Sequence, residues 1–249
     1  MTHADPQPDA DLVRTWSQGP AGYIQLHRPE KANAYNRAMI EALAAHVERL
    51  AADPEIRVVV VCGAGDRAFC AGADLAEVAG RDWQAALNLR SAEVFSLLSR
   101  CPRVTLAAVN GAASGGGLEL ALACDLRIAA ENARFWVPEA ELGLMPAAGG
   151  TQRLPQVVGK ARAKEMILGG RVWEADGALR FGLVSELTRP EELLPRAQQW
   201  AEQIARRNPV ALELAKRAID LDSGDAAGHS FESVAQALLY QLRSEKKQP

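Results

Sequence analysis

The chain has 249 residues, of which 48% are hydrophobic and 24% are charged, a composition typical of a folded α/β protein with a full apolar core. The formal net charge of −3 excludes a general electrostatic attraction to nucleic acid or to anionic membranes. The 4 histidines lack metal-ligand spacing and the 4 cysteines form no Cys-x-x-Cys pair, so we expect no metal site and free thiols in a reducing cytosol.

The chain divides into three predicted regions. Residues 1–11 are polar and contain two prolines, which predicts a flexible tail rather than a signal peptide. Strand and helix patterns mix over residues 12–187, and the pattern is almost entirely helical over residues 188–249. No apolar run approaches the length that a bilayer requires, and we therefore expect a cytoplasmic protein without a membrane partner.

The first predicted elements are a hairpin, a helix and a buried strand. Strand patterns at residues 12–17 and 23–27 flank a Gly-Pro turn. Asn36 is a candidate N-cap for a helix whose apolar residues recur every three to four positions. The β-branched run at 58–62 then predicts a strand that is buried on both faces of a partly parallel sheet.

The segment Gly63-Ala-Gly65-Asp-Arg-Ala68 matches the dinucleotide fingerprint G-x-G-x-x-G/A by its letters alone. The fingerprint opens directly into a helix and leads to a strand that ends in an acid about 20 residues later. Here a long helical pattern over residues 82–100 takes the place of that strand. We therefore predict a turn and a loop rather than a dinucleotide site.

A glycine-rich stretch, Asn110-Gly-Ala-Ala-Ser-Gly-Gly-Gly-Leu-Glu119, joins a strand pattern at 104–109 to a helical pattern that begins at Leu118. Glycines there let the backbone approach a ligand closely, and the first helical turn offers unpaired N–H groups and a partial positive charge. The stretch thus predicts an anion or oxyanion site with Glu119 beside it. Tight packing of strand and helix is the alternative explanation for the glycines.

A second carboxylate, Glu139, lies in the loop 138–150 after predicted strands at 126–130 and 134–137. If these strands turn back along the helix, Glu139 and Glu119 can reach one cleft. Paired carboxyl groups in a partly dry cleft acquire different pKa values, so that one serves as a base and the other as an acid. A helix-start or surface role is the alternative for each glutamate taken singly.

The rest of the chain is predicted to be mostly helical and offers no convincing nucleophile. Helical patterns cover residues 151–158, 161–168, 175–181 and 191–247, the last with breaks at Asn208-Pro209 and at Ser223-Gly224-Asp225. Ser114 is one glycine short of the nucleophile elbow G-x-S-x-G. The only histidine after it, His229, lies in the helical region without a strand to present it, and we therefore predict no hydrolase triad.

Several motifs in a fixed order resemble the enoyl-CoA hydratase/isomerase, or crotonase, superfamily. They are Phe69-Cys-Ala-Gly-Ala-Asp74-Leu, the glycine-rich stretch, Pro138-Glu139 and Leu142-Gly-Leu-Met-Pro146-Ala-Ala-Gly-Gly-Thr151-Gln-Arg153. The resemblance extends from about Leu12 to about Gln241. It implies an α/β fold, a crotonase-like spiral of ββα units, with a C-terminal helical region that assembles homotrimers or stacks them as homohexamers.

The resemblance also implies roles for both glycine-containing segments. The backbone N–H groups of Ala73 and Gly116 match the pair that forms an oxyanion hole for a thioester carbonyl. Fixed backbone donors suit the negative charge that develops on an enolate oxygen. The residues that match the adenine-binding edge of the coenzyme A site are Ala71, Asp74 and Leu75.

Glutamates at both positions match the hydratase branch of the superfamily. By that resemblance Glu119 positions and deprotonates the water that attacks C3, and Glu139 exchanges the proton at C2. The expected activity is hydration of a 2-enoyl-CoA, with coenzyme A as part of the substrate and no metal or redox cofactor. The alternatives are an isomerase, a carnitinyl-CoA-type dehydratase, an acyl-CoA hydrolase or a non-catalytic acyl-CoA-binding protein. Trp136 predicts either a narrowed acyl pocket or a core side chain.

Overall fold

The structure of the protein is a computed structural model that describes residues 12–221 and 225–245. The predicted tail at residues 1–11 and most of the predicted helix break at Ser223-Gly224-Asp225 lie outside the described residues. In the part that is described, no helix is long and apolar enough to cross a membrane.

Strands are distributed over two sheets. Their bounds are β1 (Val13–Gln18), β2 (Ala21–Leu26), β3 (Val58–Gly63), β4 (Ala68–Cys70), β5 (Val104–Val109), β6 (Ala112–Ser114), β7 (Leu126–Ala130), β8 (Arg134–Trp136), β9 (Trp173–Glu174) and β10 (Leu187–Thr188). A six-stranded sheet has the order β1-β2-β3-β5-β7-β10, and a four-stranded sheet has the order β4-β6-β8-β9. The β1–β2 and β8–β9 pairs are antiparallel, and the other pairs are parallel.

Helices fill the connections and the C-terminal part. Their bounds are α1 (Arg37–Ala52), α2 (Leu75–Ala79), α3 (Trp83–Leu87), α4 (Arg90–Ser99), α5 (Gly116–Leu122), α6 (Gly150–Ile167), α7 (Ala175–Arg180), α8 (Leu193–Ala205), α9 (Pro209–Asp220) and α10 (Asp225–Glu245). Asn36 is the N-cap of α1, and its side chain accepts a hydrogen bond from the Met39 N–H, as predicted.

The predicted spiral of ββα units is present. Each of the pairs β3–β4, β5–β6 and β7–β8 places its first strand in the six-stranded sheet and its second strand in the four-stranded sheet before the chain enters helical segments. Every residue of β3 is buried, because apolar layers cover both faces of the larger sheet. Helices α1 and α4 contribute to one layer, and α8 contributes to the other.

The predicted division between residues 187 and 188 stays a prediction. Strand β10 lies across it and pairs with β7 of the large sheet. Beyond it, Leu193, Ala197 and Ala201 of α8 pack in one cluster with Val58 and Val60 of β3. Helix α8 therefore completes the core of the larger sheet.

The prediction of one helix over residues 82–100 is wrong. The chain forms α3 and α4, separated at Asn88 and Leu89, of which Leu89 has an extended backbone. Only α4 has buried side chains, including Val94, Phe95 and Leu98, whereas α3 has none. The helical pattern in the sequence was produced by the buried positions of α4. Because no side chain of α3 is buried, core packing does not hold α3 in line with α4.

The segment after β3 is a turn followed by β4 rather than a helix, which confirms that the dinucleotide fingerprint is only apparent. Strands β4 and β6 were not predicted, because their three residues lie within the loop after Gly63 and the glycine-rich stretch, respectively. The predicted helices at 151–158 and 161–168 are both present, as the two parts of α6 on either side of a kink at Gly159, where φ is +79°.

Replacement of Gly117 tests the close contact between α5 and β4. An alanine methyl there would lie 1.9 Å from the Cys70 carbonyl oxygen, so Gly117→Ala should lower the free energy of unfolding by more than about 2 kcal/mol. The matched control is Gly177→Ala in α7, where the nearest atom to the new methyl is Trp173 Cβ at 3.9 Å and a small stabilisation is expected. Urea unfolding measures both changes, and equal stability of the two variants would contradict the contact.

Candidate functional site

One cavity of about 710 Å³ collects most of the predicted site residues. It lies between the start of α5, the segment that joins β4 to α2, and the loop after β8. Six of the seven predicted site residues line it, namely Ala71, Ala73, Leu75, Gly116, Glu119 and Glu139. Apolar side chains of α2, α3 and the loop contribute the remaining wall, including Val78, Trp83, Leu142 and Met145.

Gly116 lines the cavity and is the first candidate backbone donor because of where α5 begins. Gly116 is the first residue of the helix, so its N–H has no acceptor within the helix. Gly115 precedes it with φ of +50°, a conformation that glycine adopts without steric cost. A Cβ atom on Gly115 would also lie 2.7 Å from Glu139 Oε1, which shows how closely the start of α5 approaches the loop after β8.

Ala73 also lines the cavity and is the second candidate backbone donor, in a segment whose orientation is fixed by strand pairing. Tyr35 and Ala73 form a parallel bridge, in which the Tyr35 N–H donates to the Gly72 carbonyl and the Asp74 N–H donates to the Tyr35 carbonyl. This pairing leaves the Ala73 N–H pointing away from Tyr35. A Cβ atom on Gly72 would lie 3.2 Å from the Gly116 nitrogen, so the two amide-bearing segments are in direct contact.

Glu119 is only 5% exposed and is held by backbone amides. Its Oε1 accepts hydrogen bonds from the Ala148 and Gly150 N–H groups, each at 2.8 Å. Burial raises the pKa of this carboxyl above its ordinary value, whereas the two amides and the charge of Arg153 oppose the rise. The donors to Oε1 fix the carboxylate, and Oε2 is left for a ligand in the cavity.

Glu139 faces Glu119 in the same cavity but lacks comparable support. Its Oε2 is buried, and no hydrogen-bond partner for this atom exists among the described residues. Burial raises the pKa of Glu139, a hydrogen bond from its own backbone opposes the rise, and the neighbouring charge of Glu119 adds to it. A buried carboxylate oxygen without a donor favours the neutral, protonated form.

The two carboxyl groups therefore differ in how much support their surroundings give to the ionised form, although burial raises the pKa of both. Glu119 has two amide donors and a nearby guanidinium, which stabilise its ionised form. Glu139 has an orphaned oxygen and a like-charged neighbour, which stabilise its protonated form. The arrangement can supply one base and one acid to a ligand between them.

Asp74 is the predicted site residue that the structure does not bring to the cavity wall. Its Oδ1 accepts from the Ala76 N–H at 3.0 Å and caps α2, and its Oδ2 pairs with Arg28 at 3.0 Å. The side chain thus anchors the segment that carries Ala73. Ala71 and Leu75 do line the cavity, and Leu75 is 65% exposed at its edge.

Neither a triad nor a metal centre is formed by the described side chains. Ser114 donates its hydroxyl hydrogen to the Ala71 carbonyl oxygen at 3.0 Å, and the side chain of His229 lies outside the described residues. Within residues 12–221 and 225–245, no cluster of three or more His, Cys, Asp or Glu side chains could hold a metal ion.

Sequence reasoning missed two side chains at the site. Tyr35 lines the cavity, and Arg153 donates to the Ala148 carbonyl at 2.9 Å behind Glu119. Arg153 lies at the end of a motif and Tyr35 lies before α1, yet no spacing rule connects either residue to the glutamates. Trp136 is not part of the described cavity wall, so the suggested narrowing of the acyl pocket is wrong. It contributes its carbonyl oxygen, which accepts from the Gly115 N–H at 3.0 Å.

Known proteins with similar sequences include several that are named as hydratases of enoyl-CoA thioesters. The sequence profile of the Enoyl-CoA hydratase/isomerase family matches residues 18–248. The 2,3-dehydroadipyl-CoA hydratase of Escherichia coli is 44% identical over 79% of this chain and 76% of its own length. The short-chain-enoyl-CoA hydratase of Clostridium acetobutylicum is 38% identical over 82% of this chain and 78% of its own.

A solved structure extends the similarity to the fold. The enoyl-CoA hydratase subunit I of Geobacillus kaustophilus superposes with a TM-score of 0.90 at 38% sequence identity. The match covers 95% of this chain and 92% of that chain. Its extent includes both sheets and the helices that form the cavity.

The raised pKa of Glu139 should make the free energy of unfolding depend on pH. Because its pKa is raised in the folded state, the folded protein binds this proton more tightly, and wild-type stability falls as pH rises above the ordinary value of 4.5. Glu139→Gln removes that loss, so its free energy of unfolding relative to wild type should increase between pH 4 and pH 8. Glu141→Gln, at an exposed site in the same turn, is the control. Parallel pH profiles for wild type and Glu139→Gln in urea unfolding would disprove the assignment.

Proposed function

Because the chain belongs to the enoyl-CoA hydratase/isomerase family, we propose that it is an enoyl-CoA hydratase, a hydro-lyase that reversibly adds water to the 2,3 double bond of a 2-enoyl-CoA thioester. The observation that carries the proposal is the pair of buried glutamates with unequal support in one cavity, whose wall also includes Ala73 and Gly116. Relatives of similar length are named as hydratases of different enoyl-CoA thioesters, which supports the reaction and leaves the acyl group open.

The two amides provide the electrophilic part of the mechanism. Addition of water at C3 moves the electrons of the double bond toward the thioester carbonyl, whose oxygen becomes an enolate oxygen. The Ala73 and Gly116 N–H groups would donate to that oxygen from fixed positions, and each donor of this kind contributes roughly 10²–10³ in rate. Neither side chain takes part, so an alanine and a glycine are sufficient.

The two carboxyl groups divide the proton transfers. Ionised Glu119 accepts a proton from water through Oε2 as the water oxygen bonds to C3. Protonated Glu139 gives its proton to C2 as the enolate collapses to the thioester. Water thus supplies one hydrogen and the hydroxyl oxygen, Glu139 supplies the other hydrogen, and proton exchange between the acids or with solvent restores the starting state.

Hydration leaves the overall oxidation state of the substrate unchanged. Coenzyme A takes part only as a portion of that substrate. Family hydratases generally work without a cofactor, and the two carboxyls and two amides of this site cover the proton transfers and the developing charge without a metal or redox group. Ala71 and Leu75, at the cavity wall, are proposed to contact the coenzyme A portion, with Asp74 anchoring their segment.

Assembly into homotrimers or homohexamers remains a proposal. It is supported by exposed apolar side chains on the C-terminal helices, namely Ile219, Val234, Leu238 and Tyr240. Exposed apolar side chains on α9 and α10 are suited to contact with a second copy of this chain.

Turnover of crotonyl-CoA tests the proposed reaction and the two roles together. Wild type should consume the conjugated enoyl absorbance and form a 3-hydroxyacyl-CoA. Glu119→Gln and Glu139→Gln should each lower kcat by at least about 100-fold, because each removes a proton-transfer group. Glu141→Gln, exposed in the same 3₁₀ turn as Glu139, should keep normal activity.

Three outcomes would count against the proposal. An inactive wild type on short, long and branched enoyl-CoAs would reject the hydratase reaction. Near-normal turnover by either glutamine variant would reject the role given to that glutamate. Formation of a shifted double bond instead of a hydroxyl group would identify an isomerase.

A further inference from the structure

Tyr35 is a buried phenol at the wall of the cavity that the mechanism above does not use. The residue is 5% exposed and lines the same cavity as Glu119 and Glu139. It belongs to the loop before α1, which no sequence motif connects with proton transfer. Its backbone, however, forms the bridge that orients the Ala73 N–H.

The phenol oxygen lies directly against the other backbone donor. A Cβ atom on Gly116 would lie 2.2 Å from Tyr35 Oη, which is too close for any side chain at position 116. The Gly116 nitrogen belongs to the same residue, so it is no more than about 5 Å from Oη. One acceptor oxygen can receive an N–H at about 2.9 Å and an O–H at about 2.7 Å, and two donors at such a separation can share it.

The ring is held in place by its neighbours. Phe95 of α4 contacts it edge to face, with ring centroids 5.7 Å apart and an interplanar angle of 88°. The backbone on both sides is paired with Gly72 and Asp74. A donor that is held this rigidly needs no rearrangement when charge develops on a ligand.

The phenol is also kept in the form that can donate. Burial is the largest cause that raises the pKa of Tyr35, and the charge of Glu119 adds to the rise. The neighbouring Ser91 hydroxyl, on the first turn of α4, interacts with the phenol and lowers the pKa, so it opposes the rise. The net direction is upward, and Tyr35 remains protonated at physiological pH.

We propose that Tyr35 Oη donates a third hydrogen bond to the thioester oxygen, beside the Ala73 and Gly116 amides, and that Ser91 is a positioning residue for this phenol. The inference rests on the proposed hydratase function and adds a side-chain donor to it. Gly116 has a double purpose in this arrangement, since it supplies an N–H and leaves room for Oη next to it.

The direct test is Tyr35→Phe, which keeps the ring and its contact with Phe95 but removes Oη. For crotonyl-CoA, kcat should fall about 10-fold to 100-fold while KM changes little, because the lost bond strengthens as the oxygen gains charge. The matched control is Tyr23→Phe, whose buried hydroxyl donates to Gln198 at 2.9 Å away from the cavity wall. That variant should keep wild-type kcat.

A spectroscopic measurement distinguishes polarisation of the thioester carbonyl by Tyr35 from a change in the packing around the Tyr35 ring. Cinnamoyl-CoA carries a conjugated thioester whose absorbance shifts to longer wavelength when hydrogen bonds polarise the carbonyl. We expect a clear red shift with wild type, a smaller shift with Tyr35→Phe and the full shift with Tyr23→Phe. Ser91→Ala should reduce kcat a few-fold, and this effect should vanish in the Tyr35→Phe background, since the hydroxyl acts through the phenol.

Each result supports or overturns the inference. Unchanged kcat and an unchanged red shift in Tyr35→Phe would overturn it, as would additive effects of the Ser91 and Tyr35 substitutions. A wild type that binds cinnamoyl-CoA with a red shift but hydrates no enoyl-CoA would reject the hydratase function alone. A full red shift in Tyr35→Phe together with normal hydration by wild type would reject the third donor alone.

Discussion

The close approach of the α5 N-terminus to the segment after β4 is the constraint on which the site depends. Each of three consecutive glycines leaves space for a different partner. A Cβ at 117 would meet the Cys70 carbonyl, one at 116 would meet Tyr35 Oη, and one at 115 would meet Glu139 Oε1. The same backbone that permits these contacts presents the Gly116 N–H, and it places Glu119 in the first turn of the helix. A glycine run that could have served packing alone therefore serves both packing and the site.

The two glutamates differ electrostatically because different hydrogen-bond donors reach their carboxylate oxygens. Glu119 receives two amides from the start of α6, with Arg153 behind them. Glu139 is at the start of a short 3₁₀ turn and has a buried oxygen without a donor. Such an unsatisfied group costs stability, and its presence is understandable where a protonated carboxyl must meet a ligand. The family to which the chain belongs gives this pair a reaction in which an acid and a base are both required.

Much of the fold and part of the site could be predicted from the sequence. The continuous β-branched run that became β3 predicts a buried strand of a partly parallel sheet, the pattern at 104–109 predicts the strand β5, and Asn36 predicts the start of α1. The three-residue strands β4 and β6 leave no periodic signal, and α3 has no buried face to distinguish it from α4. Glu119 and Glu139 were found because each lies in a motif. Tyr35 and Arg153 were not, since only the turns of the spiral bring them beside residues that are distant in the sequence.

The central claim is that one cavity holds both glutamates and that its surroundings favour the protonated form of Glu139 more than that of Glu119. Carbon-13 NMR of protein labelled at the glutamate δ-carbon measures this directly, with the two glutamine variants assigning the resonances. The account predicts that both carboxyls titrate above the ordinary value of 4.5 and that Glu139 titrates at the higher pH. A Glu139 resonance that titrates at 4.5 or lower, or below that of Glu119, would contradict it.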